Sequence, residues 1–188
     1  MRIEVADGVG LHVTDVGSGR AIVLLAGYGA SLVVWDQVVA ALQDSYRVIC
    51  IDRRCHGESD RPESGQRIAR HAADVAEVLA LLQLEDVVLV GHSMGASTVM
   101  AYLDQYGAQR LGSVVLVDQT PKVINSEDWK CGAYGLTRAT LEVWLAAFPA
   151  NLAPPPQPTP KWAMQRMAEV EPFSIEDNRA LLRDHVEK

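Results

Sequence analysis

The sequence predicts an α/β fold in which a mostly parallel sheet lies between flanking helices. Short, continuously apolar runs recur along the first two-thirds of the chain, as in strands that are covered on both faces. Amphipathic segments with apolar residues three and four positions apart separate the later runs. Strands and helices in alternation imply right-handed crossovers between parallel strands. Residues 1–120 are therefore interpreted as the core of one domain.

Six strands are predicted within this core. The first two alternate apolar and polar residues, with Gly8 and Gly10 between them, which is typical of a hairpin with one face in water. The other four are almost entirely apolar and indicate strands inside the molecule. The predicted strands are residues 2–6, 11–16, 21–26, 46–52, 86–91 and 113–118.

Helices are predicted between the later strands and throughout the last third. Residues 70–84 and 95–106 each place their apolar side chains on one face of a helix. After Asp118 no further apolar strand run occurs, and residues 121–188 are interpreted as a helical cap domain. Its predicted helices lie around 137–147, 160–170 and 174–187, with six of the nine prolines in the loop at 149–160.

Charge and composition exclude several classes of function. A net charge of −7 without a basic patch argues against nucleic-acid binding. No apolar run approaches the roughly 20 residues that span a bilayer. The N-terminus lacks a basic start followed by an apolar stretch, so no signal peptide and no membrane association are expected. Three cysteines without metal-ligand spacing predict reduced thiols that fill core space in a cytoplasmic protein.

The residues around Ser93 form the main functional motif. Gly91 and Gly95 flank this serine between a predicted buried strand and a predicted amphipathic helix. A tight turn there would expose the hydroxyl and leave no space for side chains two residues to either side. The pattern predicts a serine nucleophile whose developing oxyanion accepts a hydrogen bond from the Met94 amide. A glycine-rich turn with an idle serine is the alternative.

Two further motifs, together with the one at Ser93, resemble the α/β-hydrolase family. The segment LLAGYGAS (24–31) looks like the family's oxyanion loop, with Ala26 in place of the usual histidine. The segment DRRCHGESDRP (52–62) resembles its Asp-x-Arg-Gly-x-Gly-x-Ser turn, with Cys55 in place of a glycine. The family includes serine esterases and cofactor-free haloperoxidases, so the resemblance implies neither a cofactor nor a metal.

The resemblance also implies the residues of a site. The second oxyanion donor would be the amide of Tyr28, which follows the first glycine of the loop. Tryptophans in the cap predict a mainly apolar pocket for the acyl or alcohol part of a small-molecule ester. The expected substrate-binding residues are Gly27, His92, Trp129 and Trp144.

The catalytic triad is incomplete in this comparison. In the family, the cap is followed by two more strands and a helix, whose loops usually bear the acid and the catalytic histidine. No such segment follows here. Asp118 stands where some members keep their acid and is a candidate to orient a histidine. The alternative is that Asp118 caps the turn at Thr120–Pro121.

No histidine of the chain is an evident base for Ser93. The ring of His92 should point away from the serine, and His56 is expected to have a structural role. His71 is expected at the start of a solvent-facing helix. His185 falls in a charged helical stretch and is more typical of a surface residue than of a base.

Absence of the last two strands would leave the sixth strand as an apolar sheet edge. Such an edge invites association with another chain, so a homo-oligomer is a candidate state. Three explanations are open: a fragment of a longer hydrolase, a truncated gene product, or elements exchanged between two copies. The predicted function is a serine hydrolase of small esters or related acyl compounds, with the activity of the 188-residue form left open. The alternative is a non-catalytic ligand-binding or oligomer-forming remnant.

Overall fold

The computed structural model describes residues 1–148 and 173–187. Within them, six strands form one sheet. The strands are β1 (Arg2–Glu4), β2 (Gly10–Val16), β3 (Ala21–Leu25), β4 (Arg47–Ile51), β5 (Val87–His92) and β6 (Leu111–Val117). The helices are a 3-10 helix (Leu32–Trp35), α1 (Asp36–Leu42), α2 (Ile68–Leu81), α3 (Met94–Tyr106), α4 (Leu141–Ala147) and α5 (Arg179–Glu187).

The strand order in the sheet is β1-β2-β4-β3-β5-β6. β1 and β2 are antiparallel to their neighbours, and β3 to β6 are parallel to one another. This mixed sheet with flanking helices confirms the predicted fold class, and each strand ends within two residues of its predicted limits. Helix α1 was not predicted, because seven residues without a fully buried side chain carry too little periodicity.

The central strands contribute side chains to two separate hydrophobic clusters. Val23 and Leu25 pack on the side of α2 and α3, whereas Leu24 and Cys50 pack on the side of the 3-10 helix and α1. Successive residues of a strand point to opposite faces of the sheet. Because both faces are covered, the apolar runs in the sequence are unbroken.

Strand β6 forms an edge of the described sheet and pairs with β5. Its apolar side chains are unusually exposed: Val114 39%, Val115 43%, Leu116 44% and Val117 40%. The uncovered apolar edge expected from the sequence is therefore present in the described part of the chain.

Two helices of the last third lie within the described residues. Helices α4 and α5 fall inside the predicted segments 137–147 and 174–187, and the predicted helix at 160–170 lies outside the described residues. Both helices join a hydrophobic cluster that also contains Met94, at the start of α3. None of the described helices is long and apolar enough to cross a membrane.

Candidate active site

Ser93 is the single residue between β5 and α3. Its backbone lies at φ 51° and ψ −122°, a conformation that side-chain-bearing residues rarely adopt and that stores strain. The Ser93 amide donates to the Val117 carbonyl oxygen at 2.8 Å, and the Ala96 amide donates to the Ser93 carbonyl oxygen at 2.8 Å. These bonds hold the turn between the sheet edge and the first turn of α3.

The two glycines of the motif are required sterically. A Cβ at Gly91 would lie 2.4 Å from the Gly95 carbonyl group. A Cβ at Gly95 would lie 2.4 Å from the Leu25 carbonyl oxygen and 2.7 Å from that of Ala26. Since all these neighbours are backbone atoms, no side-chain rotation could make space, and both positions require glycine.

The loop after β3 lies beside Ser93. A Cβ on Gly27 would be 3.2 Å from the Ser93 Cβ and 3.4 Å from His92 Nδ1. The amides of Tyr28 and Met94 donate to no described residue, and Met94 is the first residue of α3, where amides lack intrahelical partners. Gly27 and His92 therefore lie beside the serine, and the unbonded amides belong to the residues that follow Gly27 and Ser93 in the chain.

The side chain of Tyr28 has a structural contact of its own. Its hydroxyl donates to the Asn178 carbonyl oxygen at 3.1 Å, just before α5. Burial raises the pKa of Tyr28 to about 12, so the phenol stays neutral at physiological pH. Only the backbone amide of this residue is free to act as an oxyanion donor.

The hydroxyl of Ser93 forms no hydrogen bond with another described residue. All five histidines of the sequence lie within the described residues, and none is bonded to this hydroxyl. Four of them are held by other groups: His12 by Asp52, His56 and His71 by Arg53, and His185 by Gln119. The described part of the chain therefore brings no base to the serine.

Two histidines lie elsewhere than predicted. His71 was expected on a solvent-facing helix and is fully buried, because its face of α2 packs against Arg53. His185 was expected on the surface and is 9% exposed, because it shares the apolar face of α5 with Leu181 and Leu182. The four-residue spacing from Leu181 to His185 was the signal in the sequence that indicated burial.

Burial keeps these histidines neutral. It lowers the pKa of His185 to about 4, with a smaller contribution from the nearby Arg53 cation. Burial and the same cation hold the pKa of His56 and His71 well below the usual value. The amide of Gln119 bridges His185 Nε2 at 3.3 Å and the Ser97 hydroxyl at 2.8 Å, one helical turn beyond Ser93.

Asp118 directly follows β6 and is solvent-exposed. Its φ is 53°, and its carboxylate forms no hydrogen bond with a described residue. Asp118 does not cap the turn at Thr120–Pro121, because the Thr120 amide donates to Oε1 of Gln119 instead. The structure brings no described histidine to Asp118, so its role as orienter stays a prediction.

Aromatic rings border the site on the side of the last third. The Tyr28 ring packs edge-on against Phe173 at 4.8 Å and Phe148 at 5.7 Å between centroids, and Trp144 packs at a tilt against Phe148 at 5.2 Å. Phe148 and Phe173 were missed because isolated aromatics in irregular segments carry no periodic signal. Trp144 reaches Tyr28 only through Phe148, and its predicted role in substrate binding stays a prediction.

Trp129 contributes to the packing of the loop after β6. Its indole nitrogen donates to the Lys122 carbonyl oxygen at 2.9 Å, and none of its contacts reaches Ser93. Its predicted role in substrate binding stays a prediction.

The chain is similar to proteins named as hydrolases and haloperoxidases. Residues 20–166 match the family model described as alpha/beta hydrolase fold. The chain is 40% identical over 123 residues to a non-heme haloperoxidase of Rhodococcus erythropolis, covering 65% of this chain and 45% of that protein. It is 34% identical over 154 residues to a non-heme chloroperoxidase of Streptomyces lividans, covering 80% and 55%. The chain spans about half the length of these curated relatives.

Solved structures show the same similarity in three dimensions. An esterase from Exiguobacterium antarcticum aligns with a TM-score of 0.81 and 25% identity, over 97% of this chain and 73% of the esterase. A bromoperoxidase from Bacillus anthracis aligns with a TM-score of 0.68 and 35% identity, over 74% and 50%.

Proposed function

Because the chain belongs to the α/β-hydrolase family, we propose that it is a serine hydrolase that cleaves small esters or related acyl compounds through Ser93. The observation that carries the proposal is the strained backbone of Ser93 at the junction of β5 and α3. Strain of this kind persists where a surrounding fold enforces it, and it collects at functional sites. The unbonded amides of Tyr28 and Met94 beside this residue support the same reaction.

The proposed mechanism is acyl transfer in two steps. Ser93 Oγ attacks the carbonyl carbon of the ester while a base removes its proton, and the carbonyl oxygen becomes an oxyanion. The amides of Tyr28 and Met94 donate to this oxyanion, and the positive end of α3 stabilises its charge. The alcohol then leaves with the proton, and water releases the acid from Ser93.

The general base is proposed to be a histidine other than the five in this chain. None of those five is bonded to the Ser93 hydroxyl among the described residues, and His185 is a neutral residue held by Gln119. Asp118 is proposed to orient the supplied histidine, since its carboxylate is exposed and unbonded at the end of β6.

The substrate pocket is proposed to be apolar and to lie beneath a cap formed by residues 121–188. The rings of Tyr28, Phe148, Phe173 and Trp144 form its described wall. Aromatic walls favour apolar acyl or alcohol groups over charged ones. Three free cysteines support a reducing compartment, the cytoplasm, as the proposed location.

The test is covalent labelling of Ser93 with an alkyl fluorophosphonate, followed by intact mass spectrometry, with Ser93→Ala as the control. An adduct on the wild type that the variant lacks supports an activated nucleophile. No adduct on the correctly folded 188-residue chain, together with labelling when longer sequence is present, would support a base supplied from outside this chain. No adduct in either form contradicts the proposal.

A second candidate function is a non-catalytic, oligomer-forming protein, and two observations favour it. Among the described residues, the Ser93 hydroxyl has no base and β6 exposes an unpaired apolar edge. The proposed partner is a second copy of the chain, with the two β6 strands antiparallel. Centring that pairing on Val114 places Arg110 of each copy opposite Asp118 of the other, which is complementary in charge. Detection of an oligomer that forms no fluorophosphonate adduct would favour this candidate.

A further inference from the structure

We propose that Arg53 is a positioning residue of the oxyanion hole. Its guanidinium holds the Gly27 carbonyl so that the amide of the same peptide group, that of Tyr28, faces Ser93. The inference rests on the proposed role of Ser93 as nucleophile, and it assigns a task to a residue that no motif had singled out.

The first observation is that Arg53 is a buried cation that forms no ion pair with a described carboxylate, and the nearby Asp52 acts on it only through its charge. The Arg53 side chain is 2% exposed, and no described Asp or Glu lies within ion-pair distance. Its neighbour Arg54 is equally buried but is bonded to Asp74 at 2.6 Å and 2.7 Å and to Asp7. Burying an unpaired charge is costly, so a purely structural arginine at position 53 would be expected to have an acidic partner.

The second observation is the set of groups that receive the Arg53 hydrogen bonds. Nη2 donates to the Gly27 carbonyl oxygen at 2.7 Å and to His56 Nε2 at 3.2 Å, and Nη1 donates to His71 Nδ1 at 3.2 Å. Arginine can only donate, so both imidazoles accept and are neutral. His56 then donates through Nδ1 to the Arg54 carbonyl oxygen at 2.9 Å, which fixes its ring. The two histidines thus hold the guanidinium against Gly27.

The third observation concerns the peptide between Gly27 and Tyr28. A peptide group is planar, and in its trans form the C=O and the N–H point in opposite directions. Arg53 holds the C=O end, with a weaker contribution from the Ala30 amide at 3.3 Å. The N–H end is the Tyr28 amide, which donates to no described residue, and the adjoining Gly27 lies against the Ser93 Cβ. Holding one end of this rigid unit therefore aims the other end.

The charge of Arg53 also acts on the oxyanion. A cation bonded to the carbonyl polarises the peptide group and makes its N–H a stronger donor. The Arg53 charge also contributes to the lowered pKa of His185, so its electrostatic effect extends beyond the groups it is bonded to. A positive charge one peptide group away from a developing oxyanion stabilises the transition state more than the neutral ester.

The experiment compares Arg53→Met and Arg53→Lys with the matched control Arg54→Lys, which changes a buried arginine that does not contact the loop. The fluorophosphonate labelling rate at Ser93 is measured on folded protein. Arg53→Met is expected to label about 10- to 100-fold more slowly, Arg53→Lys is expected to recover part of the rate, and Arg54→Lys is expected to label at the wild-type rate despite a lower Tm. Equal rates in Arg53→Met and wild type overturn the inference. If Arg53→Met does not fold, the labelling rate of Arg53→Lys is the test, and a rate equal to that of the wild type overturns the inference.

A second measurement is independent of reactivity. In isotope-labelled protein, the nuclear Overhauser effect between the Tyr28 amide proton and the Ser93 Hβ protons reports the orientation of the peptide. It is expected in the wild type and in Arg54→Lys and is expected to disappear in Arg53→Met, or to weaken in Arg53→Lys. Its persistence in the Arg53 variants overturns the inference. If neither the wild type nor any variant is labelled, even when longer sequence is present, the proposed function fails, while loss of this signal in the Arg53 variants still supports positioning by Arg53.

Discussion

Gly95 lies against the end of β3, and a methyl group on it would come within 2.4 Å of the Leu25 carbonyl oxygen. This contact joins the first turn of α3 to the strand that leads into the loop at Gly27. Because the obstructing atom belongs to the backbone, neither partner can give way without moving the turn at Ser93 or that loop. The spacing between the serine and the Tyr28 amide therefore depends on the absence of a side chain at position 95.

Gly95→Ala is expected to destabilise the fold by about 3 kcal/mol or more, because overpacking against backbone cannot be relieved by a rotamer change. The matched control is Gly8→Ala, where a Cβ meets nothing within 4 Å and only the positive φ of 81° is unfavourable. That control is expected to cost about 1 kcal/mol. Urea unfolding measures both, and similar losses in the two variants would contradict the steric argument.

Ser93→Gly is expected to abolish labelling and to raise the free energy of unfolding by about 1 kcal/mol. Glycine adopts the backbone angles of Ser93 without strain, and this gain exceeds the entropy that glycine loses on folding. Ser93→Ala removes the hydroxyl but keeps the strain, so its stability should equal that of the wild type. If the Ser93→Gly protein were less stable than Ser93→Ala, the backbone of the turn at Ser93 would not be strained.

Tyr28→Phe is expected to lower stability by about 1 kcal/mol through loss of the hydrogen bond to Asn178. The labelling rate per folded molecule is expected to stay unchanged, since the proposed reaction uses only the Tyr28 amide. Thermal unfolding and timed mass spectrometry test the two parts separately. A large fall in the labelling rate would assign a role to the phenol.

Acid is expected to destabilise the protein partly through His185. The His185 pKa is about 4 in the folded protein and about 6.5 in the unfolded chain, so between these values the unfolded chain binds more protons. Stability from this group is complete above about pH 6.5 and falls as the pH drops toward 4, by up to about 1.4 kcal/mol per pH unit. His56 and His71 act in the same direction.

His185→Gln is therefore expected to flatten the dependence of stability on pH in that window. Urea unfolding of the variant and the wild type at about pH 7.5, 6 and 5 measures the slope. An identical slope in both proteins would show that His185 is protonated equally in the folded and unfolded states.

Val115→Lys is expected to turn an oligomer into a monomer if two copies pair through β6, because a lysine within an apolar edge opposes strand pairing. The matched control is Val143→Lys on α4, where the valine is 74% exposed and distant in sequence from β6. Light scattering distinguishes the species. A wild-type monomer at high concentration would exclude pairing through this edge.

The strands and the motif at Ser93 could be predicted because they are local properties of the chain. Unbroken apolar runs require cover on both faces, and Gly91 and Gly95 follow from steric demands within five residues of sequence. The roles of His71 and His185 could not be predicted, since their burial depends on partners far along the chain. The positions of Phe148 and Phe173 beside Tyr28 could not be predicted either, because these contacts also join segments far apart in the chain.

What the sequence determined by itself was the α/β architecture, the turn at Ser93 and the uncovered apolar strand at the edge of the sheet. Periodicity and glycine spacing encode these features directly, because they arise between residues close in the chain. Only the tertiary structure decided that none of the five histidines is hydrogen-bonded to the Ser93 hydroxyl and that Arg53 donates to the carbonyl oxygen of Gly27. Arg53 and Gly27 are 26 positions apart in the chain. Burial and packing, rather than any local pattern, set contacts between such distant segments.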